Sequence, residues 1–355
     1  MGTPAVSFIL TCYNGSRYLP EVCESILAQT FRDFEVLIGD DGSSDDTIST
    51  IQPYLRDPRF KLATWKPNRG MHSGIVFLLH TARGQYWCPP GQDDVLDPRF
   101  LEKRLTKLAS RPEAVLIHGA ANWIDEHGKP YLTDSTQRGL PELSRRLPES
   151  LPADRMLRIL LQHNILNWPS TLIRTDITRT ILPYFSPYWV WAMDWVLWIL
   201  LAATGHDFLW DAEPLINYRV HSQSISGSSR TQAIRKIERK LALLQALRTA
   251  SVFSLLAKRM WIEHRTALYR WWLTSAVALR WQGKLEAREM CLAAEAYHGA
   301  LPRSVSLWRA LALHGFPALL QYRREQEALR HQLIRVSGLP LINDPLFETI
   351  PVNLS

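Results

Sequence analysis

Two short apolar runs near the start of the chain each end in polar residues. The first run covers residues 6–10 and the second covers residues 34–38. Between them, residues 19–29 carry apolar side chains at helical spacing, which predicts an amphipathic helix. The pattern therefore predicts a β-α-β unit with two parallel strands. Ligands of such units bind beyond the carboxyl ends of the strands, so the polar residues there are the first candidates for a functional site.

Two of these polar residues have side chains suited to a nucleoside. Tyr13 follows the first run and offers an aromatic face to a base. Asp41 follows the second run and can accept hydrogen bonds from a base imide or a ribose hydroxyl. The alternative is that residues 40–46 (DDGSSDD) form only a turn and a helix cap, since Ser and Asp oxygens satisfy unpaired N–H groups. In that alternative Tyr13 simply packs against its neighbours.

A third strand-like segment ends in two adjacent acids. Residues 84–90 (GQYWCPP) lead into residues 91–98 (GQDDVLDP), which contain Asp93 and Asp94. Neighbouring carboxylates at a strand end repel each other unless positive charge lies beside them. A divalent cation bound through oxygen, together with a substrate diphosphate, supplies that charge. The alternative is a solvated turn.

Taken together, these segments resemble an inverting glycosyltransferase of family 2. The resemblance implies the GT-A fold, an α/β nucleotide-diphospho-sugar transferase fold with a Rossmann-like mixed sheet flanked by helices. It covers roughly residues 5–225 and implies a catalytic domain over residues 1–229. Residues 230–355 are predicted to form a basic, mostly helical region from their charge and their helix-spaced apolar residues. The segments that carry the resemblance are 6–15 (VSFILTCYNG), 25–30 (SILAQT), 34–47 (FEVLIGDDGSSDDT), 68–70 (NRG), 84–86 (GQY), 92–96 (QDDVL) and 218–221 (YRVH).

Position by position, the resemblance implies a site for a UDP- or dTDP-linked sugar and for Mg²⁺ or Mn²⁺. Family members differ in which acid of the pair touches the metal, so both acids are expected there. His221 is expected to assist the metal or the diphosphate, and the alternative is a surface or helix-flanking histidine. The expected nucleotide-sugar-binding residues are Thr11, Tyr13, Asn14, Asp41, Arg69 and Asp93, and the expected metal ligands are Asp93, Asp94 and His221.

The sequence departs from the family pattern at two places. Gly91 stands where the first acid of the DxDD-type motif usually lies, which puts the metal affinity in question. The Ala-Arg-Asn segment that commonly follows the Asn-x-Gly turn is replaced by residues 71–77 (MHSGIVF). A diphosphate contact must therefore come from Arg69, from Arg83 or from neither.

The resemblance places the catalytic base at Asp194. Inverting transfer needs a carboxylate that accepts the proton of the acceptor hydroxyl. Residues 188–200 (YWVWAMDWVLWIL) contain Asp194 as their only acid, and an ionised group in so apolar a stretch is costly unless it has a partner or a task. Met193 stands where the family has a preceding acid. The alternative is that Asp194 caps a helix or pairs with an arginine.

The same stretch is too short for a membrane span. A spanning helix needs ~20 apolar residues, and this segment carries an internal acid, so we expect a helix that lines the acceptor side. Its tryptophans are expected to be mostly core, with one or two of them stacking on a sugar. The tryptophans concerned are Trp189, Trp191, Trp195 and Trp198, with Trp168 as a further candidate.

Charge is distributed unevenly along the chain. Residues 230–355 contain 19 Lys and Arg against 9 Asp and Glu, a net charge of +10, whereas the whole chain is +7, so residues 1–229 sum to about −3. The basic aromatic stretch over residues 258–281 could lie against anionic lipid headgroups, giving a peripheral membrane contact at the inner face. The alternative is that these helices pack on the catalytic domain with their basic residues in water. No recognition motif indicates nucleic-acid binding.

The remaining composition, with 46% hydrophobic and 21% charged residues, favours a globular and soluble protein. The four cysteines contain no CxxC pair, which indicates neither a zinc site nor a disulfide framework. The start of the sequence shows no signal peptide or anchor, so cytoplasmic localisation is expected. Residues 133–155 contain three prolines and are expected to form a loop without regular structure.

Other classes of protein are less consistent with these motifs. A dinucleotide enzyme needs GxGxxG after its first strand, where this chain has TCYNGS. A phosphoacceptor receiver domain would be much shorter, and a nucleotidyltransferase usually has a Gly-rich basic loop near its start. A non-catalytic nucleotide- or carbohydrate-binding module with the same fold stays open as the alternative. The motifs leave the donor sugar, its base, the acceptor and the oligomeric state open.

Overall fold

The computed structural model describes residues 2–131, 147–161, 163–185, 192–224, 242–243 and 246–262. All of them belong to one compact unit, Met1–Thr231 with Ala242–Arg265. A second unit, Gln232–Leu241 with Thr266–Ser355, lies outside the described residues. The proposed boundary at residue 229 and most of the predicted C-terminal helices also lie outside them, and both stay predictions.

The N-terminal β-α-β unit forms as the apolar pattern predicts. β1 (Val6–Cys12) and β2 (Phe34–Asp40) are parallel, and their last residues lie opposite each other. α1 (Leu19–Leu27) connects the two strands and begins with a proline in its first turn, where a missing N–H costs nothing. Its buried face consists of Leu19, Val22, Cys23, Ser25 and Ile26.

The central sheet extends this unit on both sides. Its other strands are β3 (Phe60–Thr64), β4 (Tyr86–Cys88), β6 (Leu116–Gly119), β8 (Ser150–Leu151), β9 (Leu172–Arg174) and β10 (Phe208–Asp211). Over the described residues the order is β3-β2-β1-β4-β9-β6-β10-β8. The first four strands are parallel, while β9 is antiparallel to both of its neighbours. This mixed sheet confirms the predicted fold class.

A small three-stranded sheet joins two distant parts of the sequence. It consists of β5 (Val95–Leu96), β7 (Asn122–Ile124) and β11 (Ile216–Arg219), with β11 between the other two. Asn217 lies opposite Val95 in the antiparallel pair. Because β5 directly follows the acid pair of the sequence, this register brings the end of β11 to the same acids.

The helices cover the faces of the central sheet. They are α2 (Thr47–Ile51), α3 (Met71–Thr81), α4 (Phe100–Ala109), α5 (Ala153–Leu160), α6 (Thr175–Ile181) and α7 (Met193–Ala203). Short 3-10 helices form at Gln52–Arg56, Trp168–Ser170 and Leu182–Tyr184. α7 packs against α5, and α3 packs against β1 and β2. Every described residue of α7 except Asp194 is buried.

Two predictions differ from the structure in their boundaries. Residues 133–155 were expected to be irregular, but β8 pairs with β10 and α5 begins at Ala153, because Leu151, Met156 and Leu157 find buried positions. The predicted helix over residues 188–200 is described from Met193 onward and extends to Ala203. Trp195 and Trp198 are core residues, as expected, while Trp189 and Trp191 lie outside the described residues.

The described part of the C-terminal region is helical over residues 246–253 and 255–262. No helix in the described ranges combines the length and the apolar character that crossing a bilayer requires.

Candidate active site

Hydrogen bonds join the loops that follow β1 and β2. Asn14 donates its N–H to Ser43 Oγ at 2.9 Å and accepts the N–H of Ser44 on its Oδ1 at 2.9 Å. Gly15 donates its N–H to Thr47 Oγ1 at 2.9 Å. Asn14 has φ 49°, a left-handed conformation that asparagine tolerates better than most residues. Asn14 therefore fixes the two loops relative to each other at the carboxyl edge of the sheet.

The buried carboxylate of Asp41 holds the loop that leads into α3. It accepts the N–H of Arg69 on Oδ1 at 2.7 Å and the N–H of Gly70 on Oδ2 at 2.8 Å. The indole N–H of Trp65 donates to Oδ1 as well. The structure thus brings Arg69 beside Asp41 and leaves the arginine residue exposed. All of these Asp41 contacts come from one loop, so Asp41 has a structural task, and its expected contact with a nucleoside stays a prediction.

Tyr13 and Thr11 flank the last residue of β1. Tyr13 is 48% exposed, while its backbone N–H and C=O pair with the side-chain amide of Gln92 at 2.9 and 3.3 Å. Gln92 therefore ties the β1 loop to the loop that carries the acids. Thr11 is half-buried and its methyl group faces Gly74 of α3. The arrangement leaves the Tyr13 ring at the surface of the site.

Asp93 and His221 face each other across the site. The distance from Asp93 Oδ2 to His221 Nε2 is 2.9 Å, and their side chains are 20% and 11% exposed. The residues are far apart in sequence and meet because β11 pairs with β5. The ring of Tyr18 lies 5.0 Å from the His221 ring, centroid to centroid, and supports it from behind. The predicted grouping of these two residues is thus present in the structure.

Asp94 is buried and is bound by the backbone on both oxygens. Oδ1 accepts the N–H of Arg219 at 3.0 Å and Oδ2 accepts the N–H of Gly91 at 3.2 Å. Burial raises the pKa of Asp94 well above its ordinary value, and the neighbouring charge of Asp93 adds to the rise. The N–H groups and the Arg219 charge oppose that rise. Asp94 therefore organises the turn, and Asp93 is the acid of the pair that faces solvent.

Arg83 does not contribute to this site. Its guanidinium pairs with Glu35 Oε2 at 2.9 Å, and its backbone N–H donates to Glu35 Oε1 at 2.7 Å. Glu35 is near the start of β2, whereas Asp41 follows the end of that strand. The suggestion that Arg83 could bind a diphosphate is therefore wrong, because Arg83 lies at the opposite edge of the sheet. Arg69 is the remaining candidate of the two.

Asp194 lies in the first turn of α7 with its carboxylate hydrogen-bonded. Asn164 Nδ2 donates to Oδ2 at 2.7 Å, and the N–H of Trp195 donates to Oδ1 at 2.7 Å. Trp168 follows Asn164 four residues later in the sequence and is half-buried. Its ring packs against the rings of Trp87 and Trp198. The base candidate is thus fixed by a polar neighbour on one side of an aromatic core.

The donor groups of Asp93 and His221 fit a divalent cation. Carboxylate oxygen and imidazole nitrogen both suit Mn²⁺, and Mg²⁺ is usually held by one or two carboxylates together with substrate phosphates and water. Within the described ranges, no cluster of three or more His, Cys, Asp and Glu side chains could hold a metal. A metal ion held by only these two side chains would therefore need further ligand oxygens from a bound diphosphate. Asp94 fits less well, because backbone donors occupy both of its oxygens.

Sequence reasoning missed four residues that shape the site. Gln92 and Arg219 lie in the segments 92–96 and 218–221 that carry the family resemblance, but the resemblance assigned them no role. Trp65 and Asn164 carried no signal, because each meets its aspartate only after the chain has folded. These residues are Trp65, Gln92, Asn164 and Arg219.

Known proteins match this chain in sequence. Residues 7–167 match the family described as Glycosyl transferase family 2. A glycosyltransferase of Haemophilus influenzae, named as uncharacterized, is 25% identical over 246 residues, which are 67% of this chain and 73% of that protein.

Solved structures share the fold. S. aureus TarS, residues 1–349 in complex with UDP-GlcNAc, aligns with a TM-score of 0.59 and 17% identity over 92% of this chain and 91% of that one. The mannosyltransferase PcManGT from Pyrobaculum calidifontis, in complex with GDP-Man and Mn²⁺, aligns with a TM-score of 0.53 and 17% identity over 95% of this chain and 87% of that one. These alignments confirm the GT-A fold.

The mixed sheet, with acids and aromatic residues gathered at its carboxyl edge, defines a glycosyltransferase fold. Residues 7–167 therefore match glycosyltransferase family 2, and the protein is a glycosyltransferase.

Proposed function

We propose that the enzyme transfers a sugar from a nucleoside diphosphate sugar to a hydroxyl of a glycan or a lipid-linked acceptor. Transfer proceeds with inversion and depends on Mg²⁺ or Mn²⁺. The observation that carries the proposal is the contact of Asp93 with His221 at 2.9 Å, beside the loops of Tyr13 and Asp41. Metal-binding side chains and an exposed aromatic ring at one sheet edge suit the two ends of a nucleoside diphosphate.

The loops after β1 and β2 are the proposed site for the nucleoside of a UDP- or dTDP-linked sugar. Tyr13 offers an exposed ring for stacking on the base. Thr11, Asn14 and Asp41 surround the position of the base and ribose, and Arg69 supplies a cation for the diphosphate. The UDP-GlcNAc and GDP-Man bound to the two solved structures support a nucleotide sugar as the donor.

Asp93 and His221 are the proposed protein ligands of the metal. The Mn²⁺ in PcManGT supports a divalent ion in this fold. Such an ion, when bound, neutralises the charge that develops on the departing diphosphate. Asp94 acts on the metal through the turn that it stabilises.

Asp194 is the proposed general base. The acceptor oxygen forms a bond to the anomeric carbon while the bond from that carbon to the diphosphate oxygen breaks. Asp194 takes the proton of the acceptor hydroxyl, and the electron pair of the broken bond leaves with the nucleoside diphosphate. Asn164 and the N–H of Trp195 hold the carboxylate in one orientation during this step.

The release of nucleoside diphosphate from a panel of nucleotide sugars tests this function. We expect the wild type to release product in Mn²⁺, with water or an added glycan as the acceptor. Asp194→Asn should be slower by about 10²–10⁴-fold, the usual effect of removing a general base. Asp176→Asn is the matched control, because Asp176 also lies in the first turn of a helix but pairs with Arg174 at the surface. Equal rates in wild type and Asp194→Asn would disprove the base assignment.

The second candidate is a binding module without turnover. Gly91 in place of an acid and the missing Ala-Arg-Asn segment favour it. A module of this kind would bind a nucleoside diphosphate tightly but release none from any donor in the same panel. Detection of product with any donor would exclude it.

A further inference from the structure

The Arg219 guanidinium is buried behind the Asp93–His221 pair and joins three segments of the chain. Nε donates to the backbone oxygen of Asp93 at 2.9 Å, and Nη1 donates to the backbone oxygen of Asp125 at 3.2 Å. Nη2 donates to the carboxylate of Glu21 in the first turn of α1. The arginine side chain is only 2% exposed. A planar group with several fixed donors is suited to holding three acceptors in one geometry.

Arg219 also contacts the other parts of the proposed metal site. Its backbone N–H donates to Asp94 Oδ1 at 3.0 Å. Its guanidinium carbon lies 4.6 Å from the centre of the Tyr18 ring, and that ring in turn packs against His221. One residue therefore touches both acids directly and the histidine through Tyr18.

Glu21 supplies the carboxylate that pairs with the charge of Arg219. A buried guanidinium is costly unless an opposite charge pairs with it. In the part of the chain that the structure describes, Glu21 is the carboxylate side chain that bonds to this guanidinium, and the other acceptors are neutral carbonyls. Without Glu21, the positive charge of Arg219 would repel a cation held beside Asp93.

We propose that Glu21 and Arg219 form a positioning pair for the metal-binding turn. Arg219 sets the orientation of Asp93 and Asp94, and Glu21 both anchors the guanidinium and offsets its charge. The inference rests on the proposed function, because it assigns the pair a task toward a cation at Asp93 and His221. Neither residue is assigned contact with the substrate.

Mn²⁺ affinity in the presence of UDP, measured by electron paramagnetic resonance, tests this pair. Glu21→Gln removes the charge and keeps the size of an exposed side chain, so the fold should be retained. We expect Glu21→Gln to weaken Mn²⁺ binding by about tenfold, the range seen when a residue that orients a metal ligand is lost. Glu24→Gln is the matched control, because Glu24 lies one turn further along α1 and interacts with Tyr54. It should bind Mn²⁺ as the wild type does.

A second measurement needs no metal. In the ¹⁵N spectrum of histidine-labelled protein, the ring signals of His221 are identified by their loss in His221→Gln. They should shift in Glu21→Gln and stay in place in Glu24→Gln, since only the first change disturbs the contacts behind His221. Arg219→Lys keeps the charge but not the planar fork, so it should shift the same signals.

The outcomes separate the pair from the proposed function. Wild-type Mn²⁺ affinity in Glu21→Gln, or an equal loss in Glu24→Gln, would overturn the pair while leaving metal use intact. If the wild type binds no Mn²⁺ with UDP, metal dependence fails, and the ¹⁵N spectra then decide the pair. Unchanged His221 signals in Glu21→Gln would overturn it in that case too.

Discussion

The carboxylate of Asp94 fills the space in which a side chain at Gly91 would lie. An ideal Cβ on Gly91 would be 2.3 Å from Asp94 Oδ2 and 2.8 Å from Asp93 Oδ1. The N–H of Gly91 also donates to Asp94 Oδ2 at 3.2 Å. The glycine that departs from the family pattern is therefore required by the positions of the two acids that follow it.

A methyl group at position 91 should destabilise this turn. Gly91→Ala forces the Asp94 carboxylate away from its backbone donors, so we expect the free energy of unfolding to fall by about 1–3 kcal/mol. Urea denaturation measures the change. Gly2→Ala is the control, since a Cβ there meets nothing within 4 Å. A Gly91→Ala protein as stable as the wild type would contradict the close packing of Asp94 against residue 91.

The ring of Tyr13 should contribute to nucleotide affinity, and its hydroxyl should not. Stacking of a base on an aromatic ring is worth about 1–3 kcal/mol, so Tyr13→Ala should weaken UDP or dTDP binding by roughly tenfold or more. Tyr13→Phe keeps the ring and should bind as the wild type does. Fluorescence or calorimetric titration distinguishes the two variants. Equal affinity of Tyr13→Ala and Tyr13→Phe would place the base elsewhere.

Asn164 should affect the rate rather than donor binding. Its Nδ2 donates to Asp194 Oδ2 at 2.7 Å, so Asn164→Ala removes one of the contacts that orient the carboxylate toward the acceptor. We expect kcat to fall by about tenfold with KM for the donor unchanged, because misplacement of a catalytic group slows the chemical step. The neighbouring exposed His163→Ala serves as the control. A rise in KM without a change in kcat would assign Asn164 to the donor site.

Glu35 should make the stability of the fold depend on pH. Burial alone would raise the pKa of Glu35, but hydrogen bonds from Arg83, Ser7 and Lys61 together lower it below its ordinary value. The ionised carboxylate therefore stabilises the protein above the ordinary glutamate pKa, and this stabilisation is lost as the pH falls through the lowered pKa. We expect Glu35→Gln to cost about 1–3 kcal/mol near pH 7 and less near pH 3.

Urea denaturation of Glu35→Gln at both pH values measures this effect. Glu113→Gln is the comparison, since Glu113 faces Arg111 at 3.9 Å with both side chains largely exposed. Glu113→Gln should lower the free energy of unfolding by close to zero at either pH. A cost for Glu35→Gln that is the same at both pH values would show that packing, and not charge, accounts for it.

Local patterns in the sequence were enough to predict the frame of the site. β1, α1 and β2 follow from apolar periodicity, which each segment carries within itself. Asp41 was recognisable because it directly follows β2, and the acid pair because it stands between the strand-like segment of β4 and β5. The contacts that orient Asp41, Asp194 and Arg219 could not be predicted. Their partners Trp65, Asn164 and Glu21 meet them only through tertiary packing.

Two further differences have the same physical origin. Arg83 was considered near the site from its place in the sequence, but the direction of β2 carries Glu35 and Asp41 to opposite edges of the sheet. In the sequence, Gly91 puts the metal affinity in question, and the space that Asp94 occupies beside it was visible only in three dimensions.

The most direct test of the account is the binding of UDP, dTDP and GDP by calorimetry, with and without Mn²⁺. The account predicts that one of these nucleotides binds in the presence of Mn²⁺ and that Asp93→Asn weakens this binding, while affinity without metal changes little. Absence of binding for all three nucleotides, or identical Mn²⁺-dependent affinity in Asp93→Asn, would contradict the assignment of the Asp93–His221 pair as the metal site of a nucleotide-sugar transferase.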